Sequence, residues 1–99
     1  MSIDWDNFHD SILIEIIIRW KEGEIDLHFN LCSYKEHDRI TVRLFSFDNF
    51  FCPREFPWGK SNSVNSIVVN HTDGKLNFVL QMQSGDEIKI RAIGAGLVE

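Results

Sequence analysis

Residues 24–31 alternate strictly between apolar and polar side chains, and this period of two is the strongest structural signal in the chain. The apolar positions are Ile25, Leu27, Phe29 and Leu31. In an extended strand these four side chains point to one face, and the intervening polar side chains point to the other. The pattern therefore predicts a strand that is buried on one face only, as in an antiparallel sheet.

The preceding run, residues 11–20, is rich in β-branched residues and predicts a strand that forms a hairpin with residues 24–31 around Gly23. The residues expected on its buried face are Ile12, Ile14, Ile16, Ile18 and Trp20. Matching the two buried faces sets Arg19 opposite Glu24 and Glu15 opposite His28. Such charge pairs belong to a solvated sheet surface and are typically worth a few tenths to about 1 kcal/mol.

Four further strands are predicted on the same grounds, at residues 39–47, 64–71, 75–83 and 87–92. Asp73 and Gly74 both tolerate a positive φ, so they predict a two-residue turn between the fourth and fifth strands. That turn pairs Val69 with Phe78 and Ile67 with Leu80. The end of the chain, beginning with Gly94-Ala95-Gly96, is expected to be a mobile tail.

These strands predict an all-β fold in a single β domain that spans residues 1–99. The expected architecture is an antiparallel meander of about six strands, closed as a small barrel or as a two-layer sandwich. The sequence leaves both closures open. One long aromatic and proline-containing loop, residues 48–62, interrupts the pattern.

This loop holds both prolines of the chain and four aromatic residues. Because proline fixes φ and lacks a backbone donor, the loop backbone is held in an irregular path. One interpretation is that its aromatic side chains close an open end or face of the sheet. The other is a partner-binding surface, since Trp and Arg are enriched at interface hot spots. The candidate partner-binding residues are Phe51, Arg54, Phe56 and Trp58.

A second feature is a set of apolar residues on the predicted outer face. It comprises Ile17, Phe45, Phe47 and the Val68–Val79 pair. An exposed patch of this kind marks an interface, whereas a sheet that folds over on itself would make it a second core. The sequence leaves both interpretations open.

Candidate catalytic and metal-binding residues are sparse. The four histidines, with Cys32 and Cys52, lack the close-spaced pairs of zinc sites, so no metal and no other cofactor is expected. His9-Asp10-Ser11 contains the side chains of a catalytic triad, but residues adjacent in sequence do not assemble that geometry. A turn is the expected role of these three residues.

The composition limits the classes of partner. With 15 acidic residues, 10 Lys and Arg and a net charge of −5, the chain is not expected to bind nucleic acid, and it suits a basic partner. The longest apolar stretch is too short to cross a bilayer, so no membrane association is expected. Without a secretion signal the expected location is cytoplasmic, with Cys32 and Cys52 as free thiols.

Three segments resemble a group of small, uncharacterised bacterial β-sheet proteins. They are Trp5-x-x-Phe8-His9-Asp10-Ser11, the central run Pro53-Arg54-Glu55-Phe56-Pro57-Trp58-Gly59-Lys60-Ser61, and Met82-Gln83-Ser84-Gly85-Asp86. Some proteins of this group are similar to immunity proteins of toxin systems. The resemblance implies a small β domain and a toxin as partner, and it implies no role for any individual residue.

The leading hypothesis is therefore a non-catalytic protein-binding module, with a basic toxin as the expected partner. An alternative from another class is a homo-oligomeric protein that binds a small ligand in a pocket lined by Trp20, Trp58 and Phe78. A third is a small enzyme that uses His9 with Asp10 or Glu55, which requires these groups to converge in a cleft.

Overall fold

A computed structural model describes residues 4–32, 37–54 and 63–98 of the 99-residue chain. A short 3-10 helix (Trp5–Phe8) precedes eight strands. The strands are β1 (Ile12–Arg19), β2 (Glu24–Cys32), β3 (His37–Phe45), β4 (Asn49–Phe51), β5 (Val64–Thr72), β6 (Lys75–Met82), β7 (Glu87–Ala92) and β8 (Gly94–Val98). No helix in the described ranges is long and apolar enough to cross a membrane.

The eight strands form two four-stranded antiparallel sheets, so the all-β prediction is confirmed. The strand order is β1-β2-β3-β8 in the first sheet and β4-β7-β6-β5 in the second. Side chains from both sheets meet in one core that includes Phe29, Val42 and Leu44 from the first sheet and Phe78, Leu80 and Ile90 from the second. No closed barrel forms in the described part of the chain, and the expected number of about six strands is too low.

The predicted hairpin registers are confirmed. Arg19 lies opposite Glu24 and Glu15 lies opposite His28. In the second sheet the β5–β6 ladder pairs Val69 with Phe78 and Ile67 with Leu80. Asp73 and Gly74 adopt φ values of 53° and 76°, the positive values that the short hairpin turn requires.

The two additional strands, β4 and β8, break the expected simple meander. β8 pairs with β3, and β4 pairs with β7. Between these ladders the Ile93 N–H donates to Phe45 O, and the Asp48 N–H donates to Arg91 O, each at 2.9 Å. The ladder therefore continues around the bend from one sheet to the other, with Ser46 at a positive φ of 52°. Residues 94–98 are thus a paired strand and not the expected mobile tail.

Strand β1 departs from its predicted face because it contains a bulge. Its register with β2 shifts between Leu13 and Glu15, so Ile14 is the extra residue. The shift puts Leu13, opposite Phe29, against the core. Ile14 and Ile18 are 40% and 44% exposed. The prediction that the even-numbered residues of β1 form one buried face is therefore wrong, since a bulge reverses the alternation and an edge strand borders solvent.

The N-terminal 3-10 helix closes one end of the core. Asp4 caps it by accepting a hydrogen bond from the Asp6 N–H. Phe8 packs edge-on against Phe29 with ring centroids 4.9 Å apart, and Trp5 packs against Phe78 at 5.4 Å. The two aromatic residues thus link the N-terminal segment to both sheets.

The apolar residues predicted to share an outer patch do not form one. Ile17 and Phe45 lie on the outer face of the first sheet and are 38% and 40% exposed. Val68 and Val79 pair in the second sheet. Phe47 is partly buried against the core. Folding into two sheets distributes the set over different faces of the molecule, so it is neither a second core nor a single interface.

Candidate protein-binding surface

A groove of about 440 Å³ opens at the side of the sandwich, between β1 and the segment that follows β4. Its lining is Ile12, Leu13, Ile14, Glu15 and Ile16 from β1, with Cys52, Arg54 and Ile88. Most of these side chains are apolar, and Glu15 and Arg54 supply one charge of each sign. A concave apolar surface with a few polar groups is typical of binding sites. We refer to this depression as the side groove.

Arg54 is the predicted partner-binding residue that lies in the side groove. It is exposed and follows Cys52 and Pro53, where the chain leaves β4. Proline at position 53 restricts the backbone between the two groove residues. The sequence prediction thus located one charged residue of the groove, although it gave no indication that β1 forms the opposite wall.

Cys52 is a free, exposed thiol in the same groove. Partial burial raises the pKa of the Cys52 thiol above its usual value, and the negative charge of Asp86 adds to this effect, while Arg54 opposes it. The thiol is therefore protonated at neutral pH, which makes it a weak nucleophile. The side chain of Cys32, the second expected free thiol, lies outside the described residues.

Phe51 lies close to Arg54 in sequence but faces a different depression. It is 55% exposed and contributes to a cavity of about 230 Å³. The other lining residues are Asn49, Asn77, Phe78, Val79, Lys89, Ile90 and Arg91. Phe56 and Trp58, the remaining candidate residues, lie outside the described residues. Phe51 and Arg54 are therefore two exposed side chains in separate depressions.

An ion cluster fixes the strand that carries Phe51. Asp48 accepts hydrogen bonds from Arg91 Nε at 2.7 Å and from Lys75 Nζ at 3.0 Å. The Arg91 hydrogen bond, and secondarily the one from Lys75, lowers the pKa of Asp48 below its usual value. The cluster joins the start of β4 to β6 and β7, so it orients the exposed segment 51–54 relative to the second sheet.

A second ion cluster covers the outer face of the first sheet. Asp26 is 3% exposed and is bound by Arg43 and by Arg19, whose Nη2 lies 2.8 Å from its Oδ1. Hydrogen bonding from Arg43, and then from Arg19, lowers the pKa of Asp26 although burial opposes this shift. Glu24 lies 3.2 Å from Arg19. These groups satisfy one another, which is the pattern of a structural ion network.

The residues His9, Asp10 and Ser11, considered as catalytic groups, lie at a turn. The side chains of His9 and Ser11 form hydrogen bonds with backbone carbonyls of this same chain. His9 Nδ1 donates to the Asn65 carbonyl at 2.6 Å, and its Nε2 lies 3.6 Å from Asp10. Ser11 is fully buried and donates its hydroxyl proton to the Phe8 carbonyl. His9 is thus held against β5, and Ser11 is held by the end of the 3-10 helix. Glu55, the other acid considered, lies outside the described residues.

Two residues of the alternative ligand pocket do not meet. Phe78 is fully buried in the core, whereas Trp20 is 82% exposed and contacts Phe47 with ring centroids 6.0 Å apart. The predicted pocket of Trp20, Trp58 and Phe78 is therefore wrong for the two residues that the structure describes. Trp20 continues the alternation of β1, but it is already the first residue of the turn, where the chain leaves the sheet.

Comparisons with known proteins bear on the fold. No protein-family model matches the sequence, and no curated protein matches it. A solved structure, the crystal structure of an uncharacterized protein from Neisseria gonorrhoeae, is similar to this chain with a TM-score of 0.67. The two share 18% sequence identity over 93% of each chain. At this identity the similarity shows a shared fold across nearly the whole domain.

Proposed function

We propose that this chain is a non-catalytic protein-binding module that neutralises a basic protein toxin, as immunity proteins do. The observation that carries the proposal is the side groove, where an apolar wall of β1 faces the exposed guanidinium of Arg54. Phe51 is also exposed, in a separate depression on the second sheet. An apolar recess bordered by an arginine, with an exposed aromatic side chain three residues away in the chain, has the residue types that are enriched at interface hot spots.

The packing of the sandwich favours a protein partner over an enclosed small ligand. Large side chains from both sheets, including Phe29, Phe78 and Leu80, are fully buried and fill the core. The side groove lies instead at an edge of the sandwich, beside strand β1. A segment of another protein can enter such an open groove without any rearrangement of the core.

The charge of the chain favours a basic partner. Its net charge is −5. Glu15 lines the groove, and its side chain is 58% exposed. The Glu15 carboxylate lies 4.0 Å from His28 Nε2. Complementary charge of this kind accelerates association, and salt weakens the effect. An acidic inhibitor would therefore associate rapidly with a cationic toxin.

The decisive experiment begins with affinity capture from the native cell and continues with the purified captured protein. We expect Arg54→Ala and Phe51→Ala to weaken its binding by about tenfold or more each, the usual effect of losing a hot-spot residue. The matched control is Leu97→Ala, which removes a 47% exposed side chain from β8. This control should bind as the wild type does.

Two further measurements separate the immunity role from binding alone. Co-expression with this chain should relieve growth inhibition by the captured protein, and association should slow as salt is raised. Equal affinity of the wild type and Arg54→Ala would contradict the groove as the binding site, and an unchanged affinity of Phe51→Ala would remove Phe51 from the interface. A bound partner with no toxicity would contradict the immunity role.

A further inference from the structure

Within residues 4–32, 37–54 and 63–98, no strand pairs with the outer edge of β1 from Glu15 to Arg19. β1 is a terminal strand of the first sheet, with β2 as its neighbour. Among the described residues, the other bridge to β1 is the isolated one between Ile12 and Ser63. The backbone from Glu15 to Arg19 therefore presents N–H and C=O groups that can form a ladder with a further strand.

The side chains along this edge are symmetrical about Ile17. Glu15 and Arg19 lie two residues on either side of it, and Ile16 and Ile18 lie one residue on either side. We propose that a second copy of this chain pairs antiparallel with β1, with the two-fold axis at Ile17. The two four-stranded sheets then join into one sheet of eight strands, and each Glu15 lies opposite an Arg19.

Charge complementarity supports this occupant. In the proposed register, two Glu15–Arg19 pairs form across the axis, and directly opposite charges stabilise a strand pair. Arg19 is already oriented by Asp26 at 2.8 Å and by Glu24 at 3.2 Å, so little side-chain freedom is lost on pairing. Edge strands that avoid association commonly carry charges that repel an approaching strand. Here the two charges attract a second copy.

The inner face of β1 supplies the apolar part of the interface. Ile18 is 44% exposed. The same register sets Ile18 opposite Ile16 of the second copy. These side chains leave water on pairing, which is the main favourable contribution to association.

Other registers lose this complementarity. Sliding one copy by two residues sets Ile17 against Glu15 or against Arg19, so the charge pairs centred on the axis are lost. Sliding it by one residue sets inward-facing side chains against outward-facing ones, because successive residues of a strand point to opposite faces. The sequence of β1 thus favours one two-fold register.

The test measures the mass of the full-length protein in solution by sedimentation across a concentration series. The chain has a mass of 11.6 kDa, and the proposal requires a species of twice that mass. Ile17→Lys and Ile17→Glu should each weaken dimerisation by roughly tenfold or more, since each sets two like charges together on the axis. An equimolar mixture of the two variants should recover the dimer mass.

The control is Val68→Lys, which adds the same charge at a 40% exposed valine on β5, an edge strand of the second sheet. This variant should dimerise as the wild type does. Circular dichroism establishes that each variant is folded. A monomeric wild type at every concentration, or a mixture of Ile17→Lys and Ile17→Glu that stays monomeric, would overturn the proposal.

A cross-link tests the register independently. Ile17→Cys places two thiols directly opposite each other, within the Cα separation that a disulfide requires. Mild oxidation should give a covalent dimer through position 17, identified by mass spectrometry, whereas Val68→Cys should not. A cross-link formed equally by both variants would contradict the register. The second copy lies along the β1 wall of the side groove, so it competes with a toxin segment for Glu15 and Ile16. Arg54→Ala leaves β1 unchanged and should dimerise as the wild type does, so a loss of toxin binding and a loss of dimerisation remain distinguishable.

Discussion

The carboxylate of Asp26 accepts two hydrogen bonds from Arg43, from Nε to Oδ1 at 2.8 Å and from Nη2 to Oδ2 at 3.0 Å. The two residues lie directly opposite each other on β2 and β3. This planar, two-point contact is the geometry that guanidinium and carboxylate groups favour. It joins the two central strands of the first sheet on their outer face.

Asp26→Asn should therefore destabilise the fold. The substitution removes the charge that both Arg19 and Arg43 contact and leaves the two cations near each other. We expect a loss of about 1.5 kcal/mol in the free energy of unfolding, towards the low end for charged hydrogen bonds because solvent reaches both arginines. Urea denaturation measures the change. Glu22→Gln, at an exposed carboxylate in the turn between β1 and β2, is the control and should be close to neutral.

Acid should lower the free energy of unfolding through the carboxylates of Asp26 and Asp48. The folded-state pKa values of Asp26 and Asp48 both lie below the ordinary value of 3.8. Their contribution to stability is therefore complete above that ordinary value, and it is lost as pH falls through the folded-state pKa values. Thermal denaturation from neutral pH down to about pH 2 should show this loss. The wild type should lose more stability than Asp26→Asn, and identical profiles would contradict the role assigned to Asp26.

Two phenylalanines offer a direct comparison of core and surface. Phe29 is fully buried against Phe8, whereas Phe51 is 55% exposed. We expect Phe29→Ala to cost about 3–5 kcal/mol of unfolding free energy. Phe51→Ala should change it by less than about 0.5 kcal/mol. A large loss of stability for Phe51→Ala would place that ring in the core and remove it from the proposed binding surface.

The last strand should be detectable by hydrogen exchange. β8 pairs with β3, with Ala95 opposite Leu44 and Leu97 opposite Val42. Backbone amides that bond across this ladder should exchange much more slowly than those of an unfolded chain. Truncation after Ile93 should also destabilise the fold, since it exposes the edge of β3. If all amides of β8 exchange at the rate of an unfolded chain, this segment is the mobile tail that the sequence predicts and not a strand.

The hairpins could be predicted because their determinants are local. Alternating side chains identify β2, and the positive φ values that Asp73 and Gly74 tolerate fix the turn between β5 and β6. Once the turn is fixed, the side-chain period of two sets the register, as with Arg19 and Glu24. These features depend on residues that are close in the chain.

The candidate site was predicted only in part. Phe51 and Arg54 were identified from the proline-containing loop, and both are exposed. The sequence did not predict the opposite wall of the side groove. This wall belongs to β1, about forty residues before Arg54 in the chain. Trp20 was assigned to the core because it continues an alternating pattern. The turn residues Lys21-Glu22-Gly23 were the signal that the chain leaves the sheet at that point.

The sequence by itself determined the all-β class, the positions of most strands and the pairing within each hairpin, since these follow from side-chain period and turn chemistry. Tertiary structure alone decided that β4 and β8 form, because three residues around Phe50 and a glycine-rich end carry no alternating pattern. They are strands because β7 and β3 offer free edges to them. It also decided the bulge at Ile14, since only packing against both sheets determines which side chains of an edge strand are buried.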